Sequence, residues 1–251
     1  MIRRLLIGFG VLIGVLLVGL IALVLGAHEP KPKGRPGPEA DAFARRMQSA
    51  AGQDGWEKTG YVKWFFGGRH RHQWDRERAL VRVRWGHHDV LFDLQNERGV
   101  ARQNGDMLLG ADADSAISQA RSHWNNDSYW LNPVAKLFDA GVRRSLVQWE
   151  GETGLLVEHD AGGDTPGDAY LWLLGPEGRP RSWRMWVQII PVGGLSASWE
   201  GWTRVPTGAW LSTNHQIGPL ELALTEVEAS AHWSELEGSD PFLELAGPWN
   251  P

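Results

Sequence analysis

Apolar and polar residues alternate along most of the chain, which is the pattern of β-strands with one buried face. The alternation is clearest in residues 183–202, where Trp183 and Met185 fall on one face and Arg184 and Trp186 on the other. A short Pro/Gly segment at residues 191–194 divides this stretch into two runs and predicts an antiparallel hairpin. Its four tryptophans indicate a sheet that curls around something apolar, either its own core or a ligand.

Similar runs occur in two series along the chain. The first series comprises residues 61–66, 69–75, 79–85, 89–94 and 99–103. The second series comprises residues 142–149, 154–159, 168–174, 181–190, 195–203, 209–212 and 220–227. Residues 39–51 and 112–124 instead repeat apolar side chains at helical spacing, and Asn125 to Asp127 are predicted to stop the second helix. We predict a mainly β (α+β) fold, an incomplete antiparallel β-barrel of about eleven strands wrapped around a helical lid.

The N-terminus has the pattern of a membrane anchor. Arg3 and Arg4 precede residues 5–27, which contain no charged side chain. This run is long enough to cross a bilayer, which needs about 20 apolar residues. The positive-inside rule then places the N-terminus in the cytoplasm and the main domain in the periplasm, as a single-pass inner-membrane protein. The alternative is a long signal peptide that is cleaved, so that the domain is secreted.

The composition divides the chain into four segments. Residues 1–27 are the anchor or signal sequence, 28–38 a linker, 39–233 the β domain and 234–251 a C-terminal tail. The linker contains four prolines, so we expect an extended spacer with solvated charges that joins neither a helix nor a ladder. The tail is acidic and then rich in Gly and Pro, and we expect it to be peripheral.

Charge and cysteine content exclude several classes of function. The net charge is -5, so no basic field favours nucleic acid. The chain has no cysteine, which excludes disulfides, thiolate catalysis, zinc sites with Cys ligands and a lipid-modified N-terminal cysteine. It has 15 tryptophans, and most must be buried because aromatic residues in strands usually pack in a core.

Three stretches carry a family resemblance. Residues 59–76 (TGYVKWFFGGRHRHQWDR), 123–142 (HWNNDSYWLNPVAKLFDAGV) and 183–202 (WRMWVQIIPVGGLSASWEGW) resemble a family of uncharacterised bacterial exported proteins. That family is similar to the lipoprotein-carrier fold of LolA and LolB. The resemblance implies an open antiparallel barrel with an apolar cavity between sheet and helical lid, and it supplies no functional residue by position. The chain departs from LolB-type proteins because it lacks their lipid-acceptor cysteine.

Histidines are the candidate metal ligands. His70 and His72 share one face of a predicted strand, and His87 and His88 follow one strand later. Arg69 and Arg71 flank the first pair, and no third ligand has the spacing of a known site. We therefore interpret these histidines as surface or hydrogen-bonded structural residues, and we predict neither a metal nor a cofactor.

No enzyme motif is present, because the chain lacks a phosphate loop, a dinucleotide fingerprint, HExxH and a Gly-x-Ser-x-Gly elbow. Asp75 is interpreted as a turn cap or salt-bridge partner. If the protein is nevertheless an exported enzyme acting on a lipid or sugar, Asp75, Asp127 and Glu200 are the carboxylates to test.

The tryptophans on mixed faces are the candidate ligand-binding residues. Trp186 shares its face with Arg184, and Trp202 with Glu200, which suits a partly open cavity for an apolar ligand with a polar end. We predict that Trp64, Trp130, Trp186 and Trp202 bind a lipid or other hydrophobic small molecule, without catalysis. The alternatives are the exported enzyme and a structural envelope protein whose cavity is filled by its own side chains.

Overall fold

The computed structural model describes residues 28–96, 98–161 and 166–246, and these residues fold mainly into antiparallel β-sheet. The predicted membrane segment, residues 5–27, lies outside the described residues. Within the described part of the chain, no helix combines the length and apolar character needed to cross a membrane. The sequence predicts one curved sheet of about eleven strands. The described residues instead form three open sheets.

One sheet contains eight of the described strands, in the order β15-β16-β2-β3-β4-β5-β6-β7. Its strands are β2 (Tyr61–Phe66), β3 (His70–Asp75), β4 (Leu80–Trp85), β5 (His88–Asp93), β6 (Gly99–Gln103), β7 (Asp106–Met107), β15 (Asn214–Ile217) and β16 (Leu220–Ser230). The five central strands of the first predicted series are confirmed to within one residue at each end. β16 returns from the end of the chain to pair with β2, so the sheet joins the two halves of the sequence.

A second sheet has six of the described strands, in the order β1-β8-β9-β10-β11-β12. These are β1 (Arg35–Pro36), β8 (Val142–Trp149), β9 (Glu152–His159), β10 (Ala169–Leu174), β11 (Pro180–Trp186) and β12 (Leu195–Ser198). The predicted hairpin of residues 183–202 is confirmed, because β11 and β12 pair antiparallel with Trp183 opposite Ala197. β13 (Thr203–Arg204) and β14 (Trp210–Leu211) form a small third sheet.

The two large sheets meet at their edge strands. β12 and β15 lie side by side, and the backbone N–H of Gln216 donates to the Ser198 hydroxyl at 2.8 Å. Just beyond β12, Glu200 and Asn214 form an isolated antiparallel bridge. The chain therefore encloses one interior that both sheets line.

Three helices cover this interior, namely α1 (Pro38–Ala50), α2 (Gln53–Glu57) and α3 (Gly110–Leu131), with a 3₁₀ turn at Pro133–Lys136. A 3₁₀ turn at Trp233–Glu235 and the short helix α4 (Leu243–Ala246) pack on the outer face of the eight-stranded sheet. α1 begins with a proline, which suits the first helical turn, and it buries Ala40, Phe43, Ala44 and Met47 against the six-stranded sheet as its apolar stripe predicts.

The second predicted helix is longer than its pattern indicates. The expected stop at Asn125–Asp127 is wrong, because α3 continues to Leu131. Asparagine and aspartate have low intrinsic helix propensity, but here tertiary contacts outweigh it. Asp127 is only 1% exposed and accepts hydrogen bonds from His70 and His72 of β3. It therefore lies within the length of α3, on the side that faces the sheet, and does not cap a turn.

The linker does not behave as a free spacer. Arg35 and Pro36 pair with β8, so the expectation that the linker joins no ladder is wrong. Lys31 binds Glu158 at 2.5 Å, and Glu29 binds Arg184 at 2.8 Å. Proline has no backbone N–H, so it can occupy an edge strand without removing a hydrogen bond from the sheet. This explains how a proline-rich segment can add a strand here. Residues 28–36 therefore lie on the outer face of the six-stranded sheet.

Part of the C-terminal segment packs against the domain, in contrast to the expected peripheral tail. Phe242 has no exposed surface and Leu245 is 3% exposed, and both contact Tyr61, Leu80 and Leu91 of the eight-stranded sheet. Asp240 also forms two hydrogen bonds with Arg78. The side chains of Tyr61, Leu80 and Leu91 face outward from the eight-stranded sheet. The C-terminal segment covers them.

Candidate functional site

An aromatic core lies between α1 and the inner face of the six-stranded sheet, and the C-terminal end of α3 reaches into it. We use this name for the rings of Tyr129, Trp130, Tyr170, Trp172, Trp183, Trp199 and Trp202. Neighbouring ring centroids in this group lie 4.6 to 6.2 Å apart. These are the spacings of rings in direct contact, so the side chains of the aromatic core fill the interior themselves.

The structure brings together two of the four tryptophans that the sequence nominates for ligand binding. Trp130 and Trp202 are half-buried members of the aromatic core. Trp64 is buried in a separate core beneath α3, and Trp130 packs against both cores. Trp186 lies on the opposite face of the six-stranded sheet, beside Trp149, and its indole N–H donates to the Glu29 carbonyl at 2.7 Å.

Three buried indole N–H groups in the aromatic core have no hydrogen-bond acceptor among the described residues, namely those of Trp172, Trp183 and Trp199. His215, which contacts Trp199 at a centroid distance of 4.4 Å, likewise has a buried Nε2 without a partner in the described part of the chain. Buried tryptophans normally direct this N–H to an acceptor, because an unpaired buried donor costs free energy. The interior therefore has unused hydrogen-bonding capacity as well as apolar surface.

Partly exposed aliphatic side chains border the aromatic core. Val187, Ile190, Leu195 and Ile217 all pack against it and lie at or beyond the ends of β11, β12 and β15. We call these four residues the aliphatic rim. Two surface clefts of about 310 and 260 Å³ lie elsewhere among the described residues, and no side chain of the aromatic core lines either one. The aliphatic rim therefore places partly exposed apolar side chains directly against the aromatic core.

A second constellation lies where α3 crosses the eight-stranded sheet. The carboxylate oxygen Oδ2 of Asp127 lies 2.7 Å from His70 Nδ1 and 2.7 Å from His72 Nε2. His123, one helical turn before Asp127, stacks on His70 with ring centroids 3.9 Å apart. We call these four residues the histidine–aspartate cluster, and its imidazole and carboxylate groups are of the kinds that bind divalent metal ions.

Burial and hydrogen bonding act in opposite directions on the groups of this cluster. Burial raises the pKa of Asp127, but hydrogen bonds from His70 and His72 outweigh it, so the net pKa lies below the ordinary value. Burial lowers the pKa of His72, which has no exposed side-chain surface. At neutral pH, the cluster therefore holds an anionic carboxylate beside a neutral His72 imidazole.

Neighbouring side chains hold the histidine–aspartate cluster in place. The Asn126 amide donates to the other carboxylate oxygen of Asp127 at 2.8 Å, which directs Oδ2 towards the histidines. Trp64 stacks on His72 with ring centroids 4.4 Å apart and planes 12° apart. Arg71 lies on the opposite face of β3, where it stacks on Phe65 and pairs with Glu226. Of the two flanking arginines that argue against a cation in the sequence, Arg71 is therefore directed away from the cluster and paired with a carboxylate.

No protein-family model matches the chain, and no curated protein sequence matches it. Among solved structures, the fold is similar to a domain named as an outer membrane lipoprotein-sorting protein from Vibrio parahaemolyticus, with a TM-score of 0.39 and 9% identity over 81% of this chain and 98% of that one. It is also similar to a DUF1329 family protein from Desulfovibrio piger, with a TM-score of 0.44 and 9% identity over 84% of this chain and 98% of that one.

Sequence reasoning missed the histidine–aspartate cluster because it ended α3 too early. The available signal was the pairing of two spacings, His70-x-His72 on a strand and His123-x₃-Asp127 on a helix, each of which puts two ligands on one face. His88, the predicted companion, instead stacks on Trp85 at 4.8 Å.

The other candidate carboxylates have structural partners. Asp75 accepts hydrogen bonds from the backbone N–H and the guanidinium of Arg78, both at 2.8 Å, so its interpretation as a turn cap and salt-bridge partner is confirmed. Glu200 is exposed, and its backbone bridges to Asn214. Asp75 lies three residues along β3 from His72, a rise of about 10 Å, so the three candidate carboxylates do not form one catalytic group.

Proposed function

We propose that this chain is a non-catalytic binding module of the periplasm that holds a lipid or another apolar ligand in its aromatic core. The observation that carries this proposal is the set of buried indole N–H groups of Trp172, Trp183 and Trp199, which have no acceptor among the described residues. A ligand with an apolar body and an ester, carbonyl or carboxylate oxygen supplies both apolar contact and the missing acceptor.

The aliphatic rim is the proposed entrance. Its side chains are partly exposed yet pack directly on the aromatic core, so a ligand that crosses the rim reaches the aromatic rings without passing a polar layer. Because the rings are already in contact, an acyl chain enters only if one of them moves. Trp130 is the ring we propose to move, since it is half-buried and bridges two cores.

The predicted anchor gives this module its location. If residues 5–27 span the inner membrane, the described domain begins one residue after the bilayer segment. A ligand taken from the outer leaflet then has a short path to the domain. We therefore propose a membrane-tethered module, with a secreted one as the outcome if the N-terminus is cleaved.

A structural envelope protein is the second candidate, and the close packing of the aromatic core favours it. Ring centroids 4.6 to 5.0 Å apart around Trp183 leave the interior filled by the chain itself. Such a protein binds no lipid at its interior, whereas the proposed module does, so one crosslinking experiment separates the two.

The experiment places a photoreactive p-benzoylphenylalanine at single positions of the full chain in living cells fed an alkyne-tagged fatty acid. Ile190 and Ile217 of the aliphatic rim are the test positions. Ile189, which is 75% exposed and adjacent to Ile190, and Leu243, which is 71% exposed on α4, are the matched controls. After irradiation, the tag is detected on the purified protein.

We expect acyl label at both rim positions and little at either control. Equal label at Ile189 and Ile190 indicates mere proximity to the bilayer and contradicts the proposal. No label at any position, from a protein that is exported and folded, favours the structural alternative.

A further inference from the structure

The histidine–aspartate cluster is built by two elements that are distant in sequence. β3 contributes His70 and His72, which point to the same face because side chains in a strand alternate. α3 contributes His123 and Asp127, which are four residues apart and share one helix face. All four lie at the interface where α3 packs on the sheet, so any ligand that they share connects these two elements.

We propose that His70, His72, His123 and Asp127 bind one divalent transition-metal ion of the zinc type, and that this ion fastens α3 to β3. The proposal is independent of the apolar ligand, because it uses no residue of the aromatic core or the aliphatic rim.

The distances suit such an ion. One ligand atom each from His70, His72 and Asp127 lies within 4.8 Å of the other two. Zinc binds nitrogen and oxygen ligands at about 2.0–2.2 Å in a tetrahedron, so these ligand atoms then lie about 3.3 Å apart. The present hydrogen-bonded separations of 2.7 Å from Asp127 to each histidine must widen by only a fraction of an ångström. As the metal takes the place of the two N–H protons that now face the carboxylate, each imidazole carries its proton on the other ring nitrogen and binds as a neutral ligand.

His123 completes the coordination shell. Its ring already stacks on His70, and its Nε2 is buried without a hydrogen-bond partner among the described residues. Rotation of this side chain from the stacked position brings an imidazole nitrogen towards the space between His70 and Asp127. The resulting set of three imidazoles and one carboxylate suits zinc, copper, nickel or iron more than magnesium or calcium, which prefer oxygen ligands alone.

The surroundings favour a structural site over a catalytic one. His72 and Asp127 have 0% and 1% of their side-chain surface exposed, whereas His70, at 17%, and the half-buried His123 lie nearer to solvent. Structural zinc sites use four protein ligands and leave no open position, as this shell does, whereas catalytic sites keep one for water or substrate. The Asn126 amide that orients Asp127 serves as the outer hydrogen-bond partner that metal-binding carboxylates commonly have.

The surroundings of His72 Nδ1 determine the metal affinity that we expect. When His72 binds metal through Nε2, its remaining proton moves to Nδ1, which is buried without an acceptor among the described residues. This unpaired donor weakens binding relative to a site with a fully paired outer shell. We therefore expect micromolar rather than picomolar affinity.

The test uses the full chain in non-ionic detergent, with an affinity tag that contains no histidine. The protein is stripped with a chelator and titrated with Co²⁺ alone, whose visible absorption becomes intense in tetrahedral coordination. The variants are Asp127→Asn, His70→Asn and His123→Gln. His88→Asn is the matched control, because His88 stacks on Trp85 outside the cluster.

We expect one Co²⁺ per chain in the wild type and in His88→Asn, with the tetrahedral absorption in both. Affinity should fall at least about tenfold in Asp127→Asn and in His70→Asn. His123→Gln should keep a weaker site whose absorption loses its tetrahedral intensity. Zn²⁺, and not Mg²⁺, should raise the Tm of the wild type and of His88→Asn.

Two results overturn the proposal. One is a wild type that takes up no Co²⁺ at millimolar concentration and gains no Tm from Zn²⁺. The other is uptake that stays unchanged in His70→Asn, which is partly exposed and is the variant best able to fold if Asp127→Asn does not.

Discussion

Because of His215, we expect the free energy of unfolding of this protein to depend on pH by a measurable amount. The side chain has no exposed surface and lies between Trp130 and Trp199 of the aromatic core. Its Nδ1–H donates to the Ser198 carbonyl at 3.0 Å. Burial lowers the pKa of His215 to about 4, and the Ser198 carbonyl offsets only part of this effect.

The sign and size of the effect follow from these values. The folded pKa of about 4 lies below the ordinary value of 6.5, so the unfolded chain binds more protons between these two pH values. Stability from His215 is therefore fully present above pH 6.5, declines as the pH falls towards 4, and changes no further below that. Between pH 7.5 and 4.5 the loss amounts to about 2–3 kcal/mol.

The perturbation is His215→Asn, because the asparagine amide can replace the Nδ1–H donor to Ser198 but does not titrate. Urea unfolding of the full chain in detergent is followed by far-UV circular dichroism at pH 7.5 and 4.5. The wild type should lose about 2–3 kcal/mol more than the variant between the two pH values. The variant can be less stable at pH 7.5, since a smaller side chain leaves a cavity.

The control is His87→Asn, since His87 is exposed in a turn and should not change the wild-type loss. His72, His123 and His159 also have pKa values lowered chiefly by burial, so the wild-type slope alone does not isolate His215. If His215→Asn and the wild type lose the same free energy of unfolding, His215 is not held neutral by burial, and the reasoning is wrong.

Three further substitutions test the packing. Gly55→Ala should cost about 1–3 kcal/mol of unfolding free energy in urea melts, because the added Cβ would lie 2.3 Å from the backbone of a neighbouring loop. The control is Gly238→Ala, whose added Cβ has no atom within 4 Å, and it should not change the unfolding free energy measurably. Phe242→Ala should cost about 3–5 kcal/mol in the same melts, while Leu243→Ala, at a site 71% exposed, stays within about 0.5 kcal/mol. Gly34→Val, whose Cβ would lie 2.3 Å from a β8 side chain, should speed tryptic cleavage of the linker and leave the sheet intact.

Each of these expectations has a contrary result. Equal stability of the two glycine variants means that the loop has room to move. A harmless Phe242→Ala means that the C-terminal segment is peripheral after all. Unchanged cleavage in Gly34→Val means that the linker is accessible in the wild type.

Local alternation was enough to predict most strands, because a strand with one buried face has an apolar residue at every second position. β2 to β6 follow their patterns closely. β11 and β12 pair as predicted, but β11 ends at Trp186 and β12 at Ser198, several residues before the alternating runs end. Short edge strands such as β1 and β7 have only two residues each, which is too few to show an alternating pattern. They pair because a neighbour offers free backbone groups, which only the folded arrangement reveals.

The candidate sites were harder to predict, because both depend on contacts between distant segments. Trp186 and Trp202 have similar mixed faces in the sequence, yet the first lies outside the six-stranded sheet and the second inside it. Asp127 reads locally as a helix stop, and its partners His70 and His72 are more than fifty residues away. A pattern confined to one segment does not contain this information.

The docked linker has a mechanical consequence for the whole molecule. A free chain of residues 28–38 could extend about 35–40 Å and let the domain drift at that distance from its anchor. Instead, His28 accepts a hydrogen bond from the backbone of Gly193, and the next residues run along the six-stranded sheet. If residues 5–27 cross the membrane, docking of the linker therefore removes the slack between anchor and domain and keeps the domain close to the bilayer surface.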